Sequence, residues 1–321
     1  MAIKDLIVKK NESGLSSVEM LTIAYSLLTS VLIAIHWNGL PNPVGMITLR
    51  AIALGAIAVT NLIYRIYPCK LGIVLRCVPM LLLLIQWYPE TYEFCSQYPY
   101  LDHLFAQADQ TLFGCQPAFE FRKLLSTTFW SEAFNMGYYA YYYMMVLTVL
   151  FYLFFRYSDY EKASFIFLGS FFVFYLIYDL LPVAGPQYYF CAVGTEAAQT
   201  GIFPEIGYYF QTNTEMLKPE IKGIFSQLVV GAQEVGERPT AAFPSSHVGM
   251  STVTMMLAWQ TRNKWLFWVM VPFYLLLCCA TVYIQAHYLV DSIAGFFSAI
   301  IIFIAMDKAY PLAKRAFRLK D

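Results

Sequence analysis

The stretch Gln285-Ala286-His287-Tyr288-Leu289-Val290-Asp291-Ser292-Ile293-Ala294-Gly295-Phe296-Phe297-Ser298-Ala299-Ile300-Ile301-Ile302-Phe303-Ile304-Ala305 sets the problem this chain poses. A polar island with a histidine and an aspartate opens directly into an apolar run, and a run of roughly 20 such residues crosses a hydrocarbon core about 30 Å thick. A second island, Arg238-Pro239-Thr240-Ala241-Ala242-Phe243-Pro244-Ser245-Ser246-His247, opens the apolar run at 246–260 in the same way. The chain has only four histidines, and two of them stand in these islands. Ionisable groups inside a membrane protein are costly, so each island is a candidate functional site by default.

The rest of the chain supports a membrane setting. Hydrophobic residues make up 59% and charged residues 13%, with mean hydropathy +0.54, against roughly 25% charged residues in soluble domains. Eight apolar runs are expected to cross: 18–36, 44–66, 71–88, 134–156, 162–181, 246–260, 265–284 and 288–309. The run at 246–260 is short and carries several Ser and Thr residues, so its flanking island argues for it more than its apolarity does. The fold class is therefore all-α and polytopic. No solenoid repeat or low-complexity linker divides the chain. Residues 1–70 are read as a tail and two additional helices, 71–309 as the main helical core with loops 89–133 and 182–245, and 310–321 as a basic tail.

Net charge is zero, which gives no global field for nucleic acid or an acidic partner. With eight crossings, Lys4, Lys9, Lys10, Arg65, Lys70, Arg156, Lys162, Arg262, Lys264, Lys308, Lys314, Arg315, Arg318 and Lys320 all fall on one side. The turn from His36 to Pro43 on the other side has no Lys or Arg. The positive-inside rule then puts both termini in the cytoplasm and the long loops, with both islands, outside. The polar first 16 residues read as the lead into an uncleaved first helix. Short loops and tails fit a bacterial inner membrane better than a Golgi-type one.

Of seven cysteines, Cys95, Cys115 and Cys191 fall in the outer loops, where a Cys95–Cys115 disulfide and free thiols are both open. No cysteine has metal-ligand spacing with histidine. In the loop 89–133, Leu104, Phe105, Ala108, Leu112 and Phe113 suit an amphipathic helix lying in the interface. Tyr138, Tyr139, Tyr141, Tyr142 and Tyr143 open the fourth run, either as interface anchors or as lining for a lipid headgroup pocket.

The company of each histidine narrows its chemistry. Asp291 follows His287 by four residues, so the pair shares a helix face, and a carboxylate there fixes the ring tautomer and raises the basicity of the other nitrogen. The bland alternative is an ordinary i,i+4 structural pair. Pro244-Ser245-Ser246 reads as a serine-capped helix start with amides free for an anion. Arg238 offers a planar fork for phosphate oxygens, or else is a solvated loop arginine. Together these residues describe phosphoryl transfer without a metal or cofactor. A transporter using the two histidines for protons is the non-catalytic rival, but paired broken helices in two halves are not evident.

This constellation resembles the type-2 phosphatidic acid phosphatase superfamily, in which an Arg-Pro element precedes Pro-Ser-Gly-His and a later His with Asp four residues on. Here the elements are Arg238-Pro239, Pro244-Ser245-Ser246-His247 and His287-Tyr288-Leu289-Val290-Asp291. The resemblance spans roughly 134–309 and implies a six-helix lipid-phosphatase-like core. It makes His287 the nucleophile forming a phosphohistidine, Asp291 its orienter and His247 the acid for the leaving oxygen, with Arg238, Ser245 and Ser246 on the phosphate. Two cations of the phosphatase pattern are replaced, by Gly231 seven residues before Arg238 and by Thr281 six before His287. A phosphodiester carries one negative charge and needs fewer cations. The chain thus resembles the branch of inositol phosphorylceramide and sphingomyelin synthases, as does Tyr178-Asp179-Leu180-Leu181-Pro182-Val183-Ala184-Gly185-Pro186. That resemblance implies a phosphatidylinositol-type donor and a ceramide-type acceptor, with a lipid phosphatase of the same fold as the alternative.

Overall fold

The computed structural model describes residues 14–218 and 220–316. Lys4, Lys9, Lys10, Arg318 and Lys320, used above for orientation, lie outside the described residues. The described residues form thirteen α-helices and one 3-10 turn, with no strand.

Seven of these helices are long and apolar enough to cross a membrane: α1 (Ser17–Ile35), α2 (Pro43–Ile66), α3 (Lys70–Cys95), α6 (Thr128–Phe155), α7 (Tyr157–Leu180), α12 (Lys264–Tyr283) and α13 (Leu289–Ala316). Between them come α4 (Asp102–Phe113), α5 (Pro117–Leu124), α8 (Pro186–Val193), α9 (Ala197–Thr200), α10 (Ile224–Gly236) and α11 (Ser246–Gln260). The expected eighth crossing, 246–260, is α11. It is a helix, but its 15 residues span only about 22 Å at 1.5 Å per residue, short of the hydrocarbon thickness. Eleven of its residues are buried, so protein and not lipid surrounds it. A three-residue turn, Thr261–Asn263, folds α11 back along α12 as an antiparallel hairpin.

Helix starts follow local chemistry. Ser16 and Glu19 form a reciprocal capping box before α1, Asn42 caps α2 ahead of Pro43, and Asn263 accepts the Leu266 amide at 3.0 Å to start α12. Helix α3 runs past the expected end at residue 88, through Pro79 and Pro89, to Cys95. Each proline removes one backbone donor, which a long packed helix tolerates. The Cys95–Cys115 disulfide is not formed, and all seven cysteines are free. Cys95 Sγ lies instead 3.1 Å from Thr240 Oγ1 in a buried cluster with Tyr100.

The chain divides into two compact units. The first comprises Met1–Glu90, Thr148–Phe172 and Ile302–Asp321. Its apolar core is crossed by two buried ion pairs, Arg50 with Glu90 at 2.5 Å and Arg76 with Glu19. Tyr25 stacks on Phe172 at 4.1 Å, and Lys162 meets Asp307 at 2.7 Å. The second unit comprises Thr91–Leu147 and Val173–Ile301 and contains both histidine islands.

Candidate active site

Three loops lock together in the second unit. Ala242 donates its amide to the Val183 carbonyl at 3.0 Å, Gln187 to Gln285 at 2.9 Å, and Ser245 to Asp291 at 3.0 Å. Gly185 is needed where two of these loops touch. Its φ is +98°, and an added Cβ would lie 2.5 Å from the Ala286 carbonyl oxygen. Gly295 is needed nearly two turns into α13, where an added Cβ would fall on the Ser245 carbonyl oxygen.

Helix α4 fastens this assembly from one side. The amphipathic helix expected in the outer loop forms, but its buried face is Asp102, Ala106 and Asp109, while Leu104 and Leu112 are exposed. Asp102 accepts the amides of Ala184 at 2.9 Å and Gly185 at 2.8 Å, and the Tyr288 hydroxyl at 3.2 Å. Asp109 accepts the amides of Leu289 at 2.9 Å and Val290 at 3.0 Å, two of the first N–H groups of α13 that have no helical partner. Burial pushes Asp102 up to about 7 and Asp109 up to about 6, against the pull of these amides.

The interlock brings the two histidines together. His287, 4% exposed, places Nε2 3.5 Å from His247 Nδ1. Its Nδ1 lies 2.8 Å from the Ala242 carbonyl oxygen, which only accepts, so Nδ1 carries the proton and Nε2 holds the free lone pair. Asp291, expected as the direct orienter, stands 3.8 Å from Nδ1 and accepts the Tyr288 amide at 2.9 Å. The carbonyl of the other island therefore sets the tautomer, and Asp291 braces the turn. Burial draws the pKa of His287 down to about 4, opposed by the Ala242 bond and the nearby Glu237.

His247 sits against two tyrosines about three turns into α6. Its ring stacks on Tyr138 at 4.5 Å and packs against Tyr141 at 4.7 Å. Those two members of the tyrosine run thus face the site, while Tyr142 and Tyr143 are largely exposed. Ser245 caps α11 and is fully buried, with Oγ 3.4 Å from the Val248 amide, and Ser246 beside it is also buried. Arg238 is exposed and gives a hydrogen bond of 2.8 Å to the neighbouring Glu237 carbonyl. The structure thus joins His247, His287, Asp291, Ser245 and Ser246 in one cluster, with Arg238 at its rim.

Sequence reasoning did not single out Glu237, Gln187 or Gln233. The Glu237 carboxylate takes hydrogen bonds from Gln187 at 2.8 Å, Gln233 at 3.1 Å and Tyr138 at 3.1 Å, and burial raises its pKa. Only its place next to Arg238 offered a signal. Among the described residues no three His, Cys, Asp or Glu side chains converge on a point that would hold a metal ion.

Seven helices long and apolar enough to cross a membrane, with a histidine pair at the starts of two helices, are the setting in which the family match is read. The chain belongs to the PAP2 superfamily, whose sequence profile matches residues 103–305. It is accordingly a lipid phosphatase or phosphotransferase of that superfamily. Comparison with curated proteins and with solved structures gave no match.

Proposed function

We propose that the protein moves a phospho-headgroup from a glycerophospholipid to a ceramide-type acceptor. His287 Nε2 attacks the donor phosphorus, the bond from phosphorus to the diacylglycerol oxygen breaks, and His247 gives that oxygen a proton. The acceptor hydroxyl then attacks the phosphohistidine, its proton passes to His247, and the bond from phosphorus to nitrogen breaks. Diacylglycerol leaves and His287 is restored.

The observation that carries this reading is the pairing of a free His287 Nε2 with His247 at 3.5 Å, in a chain that has Gly231 and Thr281 where the phosphatase pattern has cations. With the ring of His287 fixed by Ala242, the lone pair faces the reaction space before substrate arrives, which is the preorganisation that nucleophilic catalysis uses. The start of α11, with Ser245, Ser246 and their neighbouring amides, supplies partial positive charge for one phosphate anion. Arg238 adds the full charge by turning from the Glu237 carbonyl. Gln187, Gln233 and Glu237 offer donors and acceptors matched to several hydroxyls, which supports a polyol head such as phosphoinositol. With α11 taken as the eighth crossing, the distribution of Lys and Arg supports cytoplasmic termini and an outward-facing site, and the short loops and tails support a bacterial inner membrane.

A second reading has one observation in its favour. Arg122 reaches Gln285 Oε1 at 3.4 Å, two residues from His287, and so stands where a replacement cation would help a phosphatase hold a dianion. Purified protein incubated with phosphatidylinositol and a fluorescent ceramide, without divalent metal, separates the two. The transferase reading expects a phosphorylated ceramide product in the wild type and none in His287→Ala. No ceramide product there, together with phosphate released in a parallel incubation with phosphatidic acid, selects the phosphatase.

A further inference from the structure

An apolar cavity of about 760 Å³ lies in the second unit. Four helices line it: α5 with Phe121 and Leu124, α11 with Val248, α12 with Val282, and α13 with Leu289 and Phe296. On α13 the lining recurs at 289, 292, 293, 296 and 297, a single apolar stripe at helical spacing. Ser292 and Glu120 bring the only charged or hydroxyl side chains. Neither is free for a polar ligand, since Ser292 bonds Thr281 at 2.9 Å and Glu120 pairs with Lys123 at 2.7 Å.

Two features say what would occupy it. One end is built from Val248, Leu289 and Ser292, which adjoin His247, His287 and Asp291 in the chain. The other runs along α12 and α13, both long enough to cross a membrane, past Ile293 at 42% and Phe297 at 59% exposure. A predominantly apolar site with lining next to the catalytic histidines in the chain and exposed apolar residues further along matches a molecule with a phosphate at one end and hydrocarbon at the other. The volume lies in the range of about 300–1,000 Å³ that holds small-molecule ligands.

We infer that this groove holds one acyl chain of the phospholipid donor while its phosphorus stands before His287. The assignment rests on His287 as the group that attacks the donor, and it holds whether the second step uses a lipid hydroxyl or water. Burying a chain there draws the donor out of the bilayer by an apolar contact proportional to chain length, so the groove selects for long chains.

Two measurements test it. The first compares kcat/KM for dioleoyl and dihexanoyl phosphatidylinositol in the wild type and in Val282→Trp and Ile293→Trp, which fill the groove. The preference for the dioleoyl donor is expected to fall at least tenfold, and an unchanged ratio in variants that turn over either donor overturns the inference. The second needs no turnover. Cys279 lines the groove and is exposed, so its maleimide labelling, read by mass spectrometry in the wild type, is expected to slow at least fivefold with dioleoyl phosphatidylinositol and not with the dihexanoyl lipid. Equal labelling in all three conditions overturns the inference even if the enzyme proves inactive on this donor. Slowed labelling without turnover leaves the groove standing and removes the proposed reaction.

Discussion

At the scale of single residues, the chemistry turns on which nitrogen of His287 is free. The sequence pairs this histidine with Asp291 four residues on, and that spacing made the residue legible. It does not show that the Ala242 carbonyl, 45 residues away, takes the Nδ1 proton at 2.8 Å. Contacts of that kind come from loop closure, which no local pattern encodes. The same holds for Glu237 and Gln187, which stand 50 residues apart in the chain and meet only in the fold. The burial that fixes His287 also sets its pH behaviour. Its pKa is lowered from 6.5 to about 4, so the ring stays neutral and nucleophilic as pH falls between those values. The acid limb of kcat/KM due to this group is therefore expected near pH 4, well below that of an ordinary histidine. A pH profile of donor turnover checks this, and a limb near 6.5 contradicts it. The unfolded chain binds the proton at the higher pH, so His287 also makes stability fall as pH drops from 6.5 to about 4.

At the scale of elements, hydropathy located α1, α2, α3, α6, α7, α12 and α13 to within a few residues at most of their ends, because length and apolarity are local properties. It placed α11 at its observed bounds, but not the burial of eleven of its 15 residues, which comes from neighbours that a window of sequence does not see. It also gave α4 its helix, but not the two aspartates that fasten it. Leu104 and Leu112 are exposed while Phe105 packs on Phe243, and two aspartates bind the helix to the catalytic loops. Asp109→Ala strips the acceptors from two buried amides at the start of α13. Each orphaned amide costs about 1–3 kcal/mol, so a clear drop in melting temperature is expected, with turnover falling at least tenfold because the His287 turn loosens. Asp109→Asn keeps one acceptor and is expected to fall between the two. Equal activity in all three proteins shows that α4 does not hold the site. Gly295→Ala tests the opposite wall of the same turn. Its Cβ meets the Ser245 carbonyl oxygen, so α13 must shift away from the α11 cap. Loss of activity at unchanged protein yield, measured on the purified variant, is the expected result.

At the scale of the whole molecule, every residue assigned to the chemistry lies in the second unit, and the first unit contributes none. The buried charges of the first unit therefore answer a question of stability, not catalysis. Arg76 is 4% exposed, and its guanidinium meets the fully buried Glu19, the Gly14 carbonyl at 2.8 Å and the Tyr64 ring at 4.8 Å. Glu19 has two tasks there, since it also accepts the Ser16 amide at 2.7 Å in the capping box of α1. A buried ion pair is weak evidence of net stabilisation, but removing one partner leaves a charge without compensation and costs about 3–5 kcal/mol. Glu19→Gln keeps the shape and the capping acceptor while removing the negative charge from Arg76. The expected result is a protein with a markedly lower melting temperature in detergent whose surviving folded fraction keeps kcat and KM within twofold of the wild type. A double variant, Glu19→Gln with Arg76→Met, removes both charges together and is expected to recover much of the lost stability, since the uncompensated charge is what the single variant exposes. Should Glu19→Gln instead change KM or kcat at full stability, the first unit takes part in substrate handling and the division of labour argued here is wrong.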